Sequence, residues 1–139
     1  MGVINFSFTR INAEKKGPLK GKINIKNDIS VKNIEEHELA QTKEKKALKV
    51  TCDFLAKYAP DFAQIEMTGE VIYVDDAKKI DDVLKDWKDS KKLPKEVMTA
   101  VMNTALQKCN IQALIMSKEI NLPPPVPLPK VSAEKKVEK

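Results

Sequence analysis

The sequence predicts an α+β domain: a four-stranded antiparallel sheet packed by one long C-terminal helix, with one short helix between the sheet and the long helix. Three features predict it. Four segments in the first half alternate apolar and polar residues with the two-residue period of strands that keep one face wet. From Pro94 to Asn121 run 28 residues with helical spacing and no break after the opening proline, a span of roughly 42 Å. Five prolines within the eight residues Leu122–Pro129 then end that helix.

The first strand is expected over Val3–Ile11, with Ile4, Phe6 and Phe8 on one face and Asn5, Ser7 and Thr9 on the other. Gly17-Pro18 and Gly21 break the chain before a second strand, Lys22–Ile34, whose odd positions Ile23, Ile25, Ile29 and Val31 are apolar. Asn27-Asp28 interrupts that row and reads as a bulge or a bend. Glu35–Lys46 is charged and reads as a loop, and His37 among Glu35, Glu36 and Glu38 reads as part of it rather than as a metal ligand. A third strand, Ala47–Tyr58, and a fourth, Phe62–Val74, form a long hairpin across Ala59-Pro60-Asp61. Their inward rows are Leu48, Val50, Cys52 and Phe54, and Ala63, Ile65, Met67, Val71 and Tyr73. Gly69, mid-strand, marks a bend or the close approach of another element.

Asp76–Lys88 reads as a short amphipathic helix, with Ile80, Val83, Leu84 and Trp87 on one face and Asp75 or Asp76 as its cap. In the long helix, Pro94 suits the first turn and Glu96 the positive end of the helix dipole. Its apolar residues include Val97, Met98, Val101, Met102, Ala105, Leu106, Cys109, Ala113, Met116 and Ile120, widened by Leu114 and Ile115. One buried face needs a stripe of roughly 100°. More than half the circumference is apolar near residues 109–116, so a second contact surface, for a subunit or a ligand, is expected. Leu122–Pro129 reads as a stiff strap over the core, or else as one wall of a groove or a ligand for one.

Residues 1–129 read as a single domain and 130–139 as a charged, disordered tail. That tail holds four Lys and two Glu, so +2 of the net charge of +5 lies there. Of the 25 basic residues only Arg10 is arginine, so no specific nucleic-acid partner is expected. No apolar run approaches 18 residues and no leader pattern opens the chain, which predicts a cytoplasmic protein without stable membrane insertion. Cys52 and Cys109 each fall on an apolar face and read as free buried thiols in preference to a disulfide. No phosphate loop, nucleophile elbow, Cys/His pair or metal-ligand set is visible. No catalytic residue, metal or cofactor is expected, and the chain is not read as an enzyme.

The order of four long antiparallel strands, a long helix and a Pro-rich segment opening with Leu resembles the SecB family of export chaperones, from Ile4 to Leu128. Phe8-Thr9-Arg10-Ile11 resembles the family's opening strand, which often ends in an Arg-Ile-like pair. Leu122–Leu128, LPPPVPL, is similar to the leucine-proline segment after the family's long helix. Pro125-Val126 keep that pattern, Pro127 stands for Asn and Leu128 for Phe. The resemblance implies an ATP-independent holdase with a link to protein export, whose protomers pair through sheets and long helices into a homo-oligomer, a dimer or a dimer of dimers. Unfolded polypeptide clients would lie in apolar grooves beside the helices and the Pro-rich segment. On that reading Phe6, Phe8, Met98, Val101, Met102, Ile111, Leu114, Ile115, Leu122, Val126 and Leu128 are the candidates for client or subunit contact. The alternative is an adaptor on the same fold that recognises one folded partner. Three features depart from the family: no helical pattern follows the Pro-rich segment, a short helix precedes the long one, and the chain is basic where the export chaperones are acidic. Docking through acidic surfaces is therefore not carried over.

Overall fold

The computed structural model describes residues 2–18, 21–38 and 44–126. The expected tail, residues 130–139, lies outside them. Four strands, β1 (Gly2–Lys15), β2 (Asn24–His37), β3 (Lys45–Ala59) and β4 (Ala63–Asp76), precede two helices, α1 (Ala77–Ser90) and α2 (Lys95–Glu119). The sheet is antiparallel throughout, in the order β1-β4-β3-β2, so β1 and β2 are its two edges. Both helices pack on one face of this sheet, as the sequence predicts.

Directly paired residues in an antiparallel ladder share a face. The inward rows of β3 and β4 are those expected, and all of Leu48, Val50, Cys52, Phe54, Ala56, Tyr58, Ala63, Ile65, Met67, Val71 and Tyr73 are buried. In β1 the pairing gives a different row from the expected one. Val3, Phe6, Phe8, Ile11 and Ala13 oppose Tyr73, Val71, Gly69, Met67 and Ile65. Register shifts at Ile4 and at Thr9 make this possible. Each extra residue flips the phase of the strand, so odd and even positions come to share the helix side. Ile4 is spent on the first shift and stands 61% exposed, outside the core it was expected to join.

A third shift corrects β2 in the same way. It lies between Val31 and Asn33, not at Asn27-Asp28, and it brings the even-numbered Ile34 onto the apolar side with Ile25, Ile29 and Val31. Glu35, Glu36 and His37 belong to β2, and Lys45 and Lys46 to β3, where a loop was expected. Charge alternation does not end a strand when the charges are paired across it. Lys49 lies 2.9 Å from Glu35, and Lys46 reaches Glu36 at 3.7 Å.

The β3–β4 turn carries a cis Ala59–Pro60 peptide, with the Phe62 amide donating to the Tyr58 carbonyl at 3.0 Å. α1 buries Ile80 and Val83, with Leu84 and Trp87 half-buried against the same cluster. Trp87 is thus part of the packing, and Lys91 lies over its ring at 5.4 Å. Asp75, just before α1, is a buried carboxylate. Burial alone would raise its pKa. The Asp76 amide at 2.8 Å, Lys79 at 3.5 Å and the Tyr73 hydroxyl at 3.3 Å outweigh that and hold it below the ordinary value.

α2 is 25 residues long, roughly 37 Å, with Pro94 at its N-cap. Its buried residues are Val97, Val101, Ala105, Cys109, Ala113 and Ser117, one every four positions. Four residues turn a helix by about 400°, so the buried line advances by roughly 40° at each step. Over five steps it wraps about half-way round, so the two ends of α2 bury opposite sides. Much of the excess apolar surface seen in the sequence has this cause. The N-terminal half closes a cluster with α1 over Leu48, Val50, Cys52 and Val71. The C-terminal half closes a second over Phe54, Ala56, Tyr58, Ile65 and Met67. Phe6 and Ile29 touch both. Cys52 and Cys109 are free, one in each cluster, and burial pushes their thiols up to about 12 and about 11. At neutral pH they are inert packing groups.

Candidate functional site

α2 lies chiefly over β4 and β1, and α1 over the far ends of β3, β4 and β2. Between them part of the inward face of β2 has no helix above it. A groove of about 200 Å³ opens there, lined by Asn27, Asp28, Ile29 and Phe54 from the sheet, Leu106 and Asn110 from α2, and Val126 from the strap. Leu106 and Asn110 sit one residue after the buried line of α2, on the row that also carries Met98, Met102 and Leu114. All five are at least partly accessible, and Leu106 is 36% exposed. The groove is therefore apolar along its floor and one wall, with amide groups at Asn27 and Asn110.

The strap closes one end. Asn121 takes a left-handed conformation (φ 56°) that turns the chain off the helix, and the Leu122 amide donates to the Ser117 carbonyl at 2.8 Å. Leu122 is buried in the second cluster. The Tyr58 hydroxyl donates to the Pro123 carbonyl, and Asn27 Nδ2 donates to the Pro125 carbonyl at 2.7 Å. Residues 122–126 thus form a strap over the core, as the composition favoured, and also one wall of the groove, while residues 127–129 of the expected strap lie outside the described residues.

Tyr58 is wholly buried, and burial pushes its phenol up to about 12 from an ordinary value of 10. A folded-state pKa raised in this way supports stability fully below pH 10. That support is lost as pH rises from 10 to about 12, because the unfolded chain ionises first. The wild type is expected to lose about 2 kcal/mol through this group over that range. Thermal melts at stepped alkaline pH should show a shallower loss for Tyr58→Phe than for the wild type; parallel curves would contradict the burial of this hydroxyl.

The candidate residues separate into three groups. Val126 lines the groove, and Met98, Met102 and Leu114 are half-buried on the helix row that carries Leu106 and Asn110. Phe6 and Phe8 are half-buried beneath α2, stacked edge-on at 4.9 Å, and Val101 and Leu122 are buried outright, so these four serve the core. Ile111 and Ile115, 54% and 45% exposed and one turn apart, face away from the sheet. Leu128 lies outside the described residues. Sequence reasoning missed Asn27, Asp28, Ile29, Phe54, Leu106 and Asn110 as groove residues, and Tyr58 as a donor to the strap. One signal was present: Asn27 is the polar member of an otherwise apolar row, Ile23, Ile25, Ile29 and Val31, and it is there to hold a backbone carbonyl.

The opposite face of the sheet is mainly polar. A cavity of about 470 Å³ there is lined by Arg10, Asp28, Ser30, Lys32, Asp53, Glu66 and Thr68 among others. Its charges face one another: Arg10 pairs with Glu66 at 2.9 Å, and the Thr68 hydroxyl donates to Asp53 at 2.9 Å. Exposed pairs of this kind contribute little each.

Over 96% of its length the chain superposes on 91% of the Mycobacterium tuberculosis Rv1957 SecB-like chaperone, solved in complex with a ChAD peptide from the Rv1956 HigA1 antitoxin, with a TM-score of 0.53 and 13% sequence identity. The fold is SecB-like. At that identity the likeness is one of fold alone. No protein-family model matches the sequence, and no curated protein sequence matches it. The SecB-like architecture places the groove between the long helix and an edge strand, with the Pro-rich strap at its end. No helix among the described residues is long and apolar enough to cross a membrane.

Proposed function

We propose that this protein is an ATP-independent chaperone that holds extended, non-native polypeptide segments in the groove beside α2. The observation that carries the reading is the half-open apolar trough between Leu106 of α2 and Ile29 and Phe54 of the sheet. An accessible apolar trough on a domain whose core is otherwise closed needs an occupant. The methionines Met98 and Met102 along the same row suit an adaptable surface, because Met repacks without a fixed shape. The reading assigns the chain no catalytic residue and no cofactor. It works as a homo-oligomer, a dimer or a dimer of dimers, with Ile111 and Ile115 as the helix contact. A link to protein export rests on the family resemblance alone.

A second reading, an adaptor for one dedicated partner, draws support from the SecB-like neighbour, which is solved with a peptide from a single antitoxin. One pair of experiments separates the two. Equimolar protein should suppress light scattering by an aggregating model client and bind unfolded peptides of unrelated sequence. Failure of both ends the chaperone reading. Recovery of one stoichiometric folded partner, without binding to unrelated peptides, favours the adaptor.

A further inference from the structure

Beyond the buried Leu122, both hydrogen bonds that hold the strap are to its backbone carbonyls. Pro123, Pro124 and Pro125 have no N–H, so their backbone offers only carbonyls, on an extended path fixed near φ −65°. Two of those carbonyls are captured, at Pro123 by Tyr58 and at Pro125 by Asn27. The donors come from neighbouring strands. Asn27 pairs with Ala56, and Tyr58 with Ile25, so they stand two rungs apart on the ladder. The captured carbonyls are alternate ones along the strap, and every residue of a client has a carbonyl.

The room left beside the strap is small. The free groove holds about 200 Å³, below the roughly 300–1,000 Å³ of sites that enclose even a drug-sized molecule. Val126 stands in its wall, so the strap borders the trough. A polypeptide segment several residues long that ran on along the trough would meet it.

We infer that Leu122–Val126 is a built-in competitor: a pseudo-client that occupies the end of the groove and must be displaced before an extended segment binds. This rests on the groove being a polypeptide site. Tyr58 and Asn27 then pass from the strap's carbonyls to those of the incoming chain. Residues 123–126 leave and Leu122 stays in the core as the hinge anchor. Being tethered directly to α2, the strap acts at an effective concentration in the millimolar range, which weakens binding without any ligand in solution. The preferred occupant is an extended segment with apolar residues interleaved by proline, since it loses least entropy on adopting this path.

The test is anisotropy of a labelled peptide, Leu-Pro-Pro-Pro-Val-Pro-Leu, together with one labelled unfolded peptide of unrelated sequence. Both are added to the full chain and to a variant with Pro123→Gly, Pro124→Ser, Pro125→Gly and Val126→Ser. The variant should bind both probes about tenfold more tightly, and Tyr58→Phe in its background should return most of that gain. Should the fourfold variant not fold, judged by its thermal melt, Val126→Asp alone should tighten binding by about threefold. Equal or weaker binding by a folded strap variant, with the wild type binding normally, overturns the competitor role and leaves the chaperone reading intact. No binding of either probe by any protein overturns both.

Discussion

Replacing Gly69 with valine is expected to destabilise the domain by about 3 kcal/mol and to lower its Tm by roughly 10 °C. Gly69 lies on β4, faces the helices, and is flanked by Phe8 of β1 and Cys52 of β3. A Cβ there would stand 2.5 Å from Cζ of Phe6 and 3.0 Å from its Cε2. The ring therefore occupies the volume that a side chain would need. It has little freedom to yield, since Phe6 packs into both core clusters and is braced edge-on by Phe8. Overpacking at such a point displaces two clusters together. The cost should depend on Phe6. In a Phe6→Leu background the same substitution should cost only about 1 kcal/mol, a coupling that denaturant melts of the four proteins resolve. An unchanged midpoint for Gly69→Val would show that the ring does not rest there.

The second large effect separates the two exposed apolar surfaces of α2. Leu106→Asp, in the groove wall, is expected to weaken binding of an unfolded peptide by tenfold or more. A client would then have to desolvate a carboxylate against Ile29 and Phe54. Leu106 is 36% exposed, so the fold should lose less than about 1 kcal/mol. Ile111→Asp with Ile115→Asp, on the far side, should leave peptide affinity unchanged and shift the protein toward monomer in size-exclusion with light scattering. Loss of peptide binding in the far-side pair, with Leu106→Asp inert, would move the client site from the groove to the opposite surface.

How much of this was legible beforehand differs by element. β3 and β4 could be read to within two residues because both are central strands, with one face dry and one wet along their whole length. β1 and β2 are edges, and an edge accommodates extra residues because one side has no ladder to keep in step. The shifts at Ile4, Thr9 and Lys32 invert the apparent phase, and nothing in the local pattern separates Ile4 from Phe6. Gly69 was open to two readings, a bend or a close approach, and only the position of the Phe6 ring decides for the second. In the groove, Asn27 was visible as an exception to its row, but its carbonyl partner lies 98 residues away.

The sequence by itself determined the periods: two in the strands, near four in the long helix, and a proline-rich stop after it. Those periods are local consequences of backbone geometry, so they specify an antiparallel sheet with one covered face and a helix to cover it. The tertiary structure decided where the cover ends. A buried line with a four-residue repeat drifts around a straight helix, and α2 lies chiefly over β4 and β1. The open trough beside β2 follows from that placement. No stretch of sequence encodes the placement locally, because it is set by how two finished surfaces fit together.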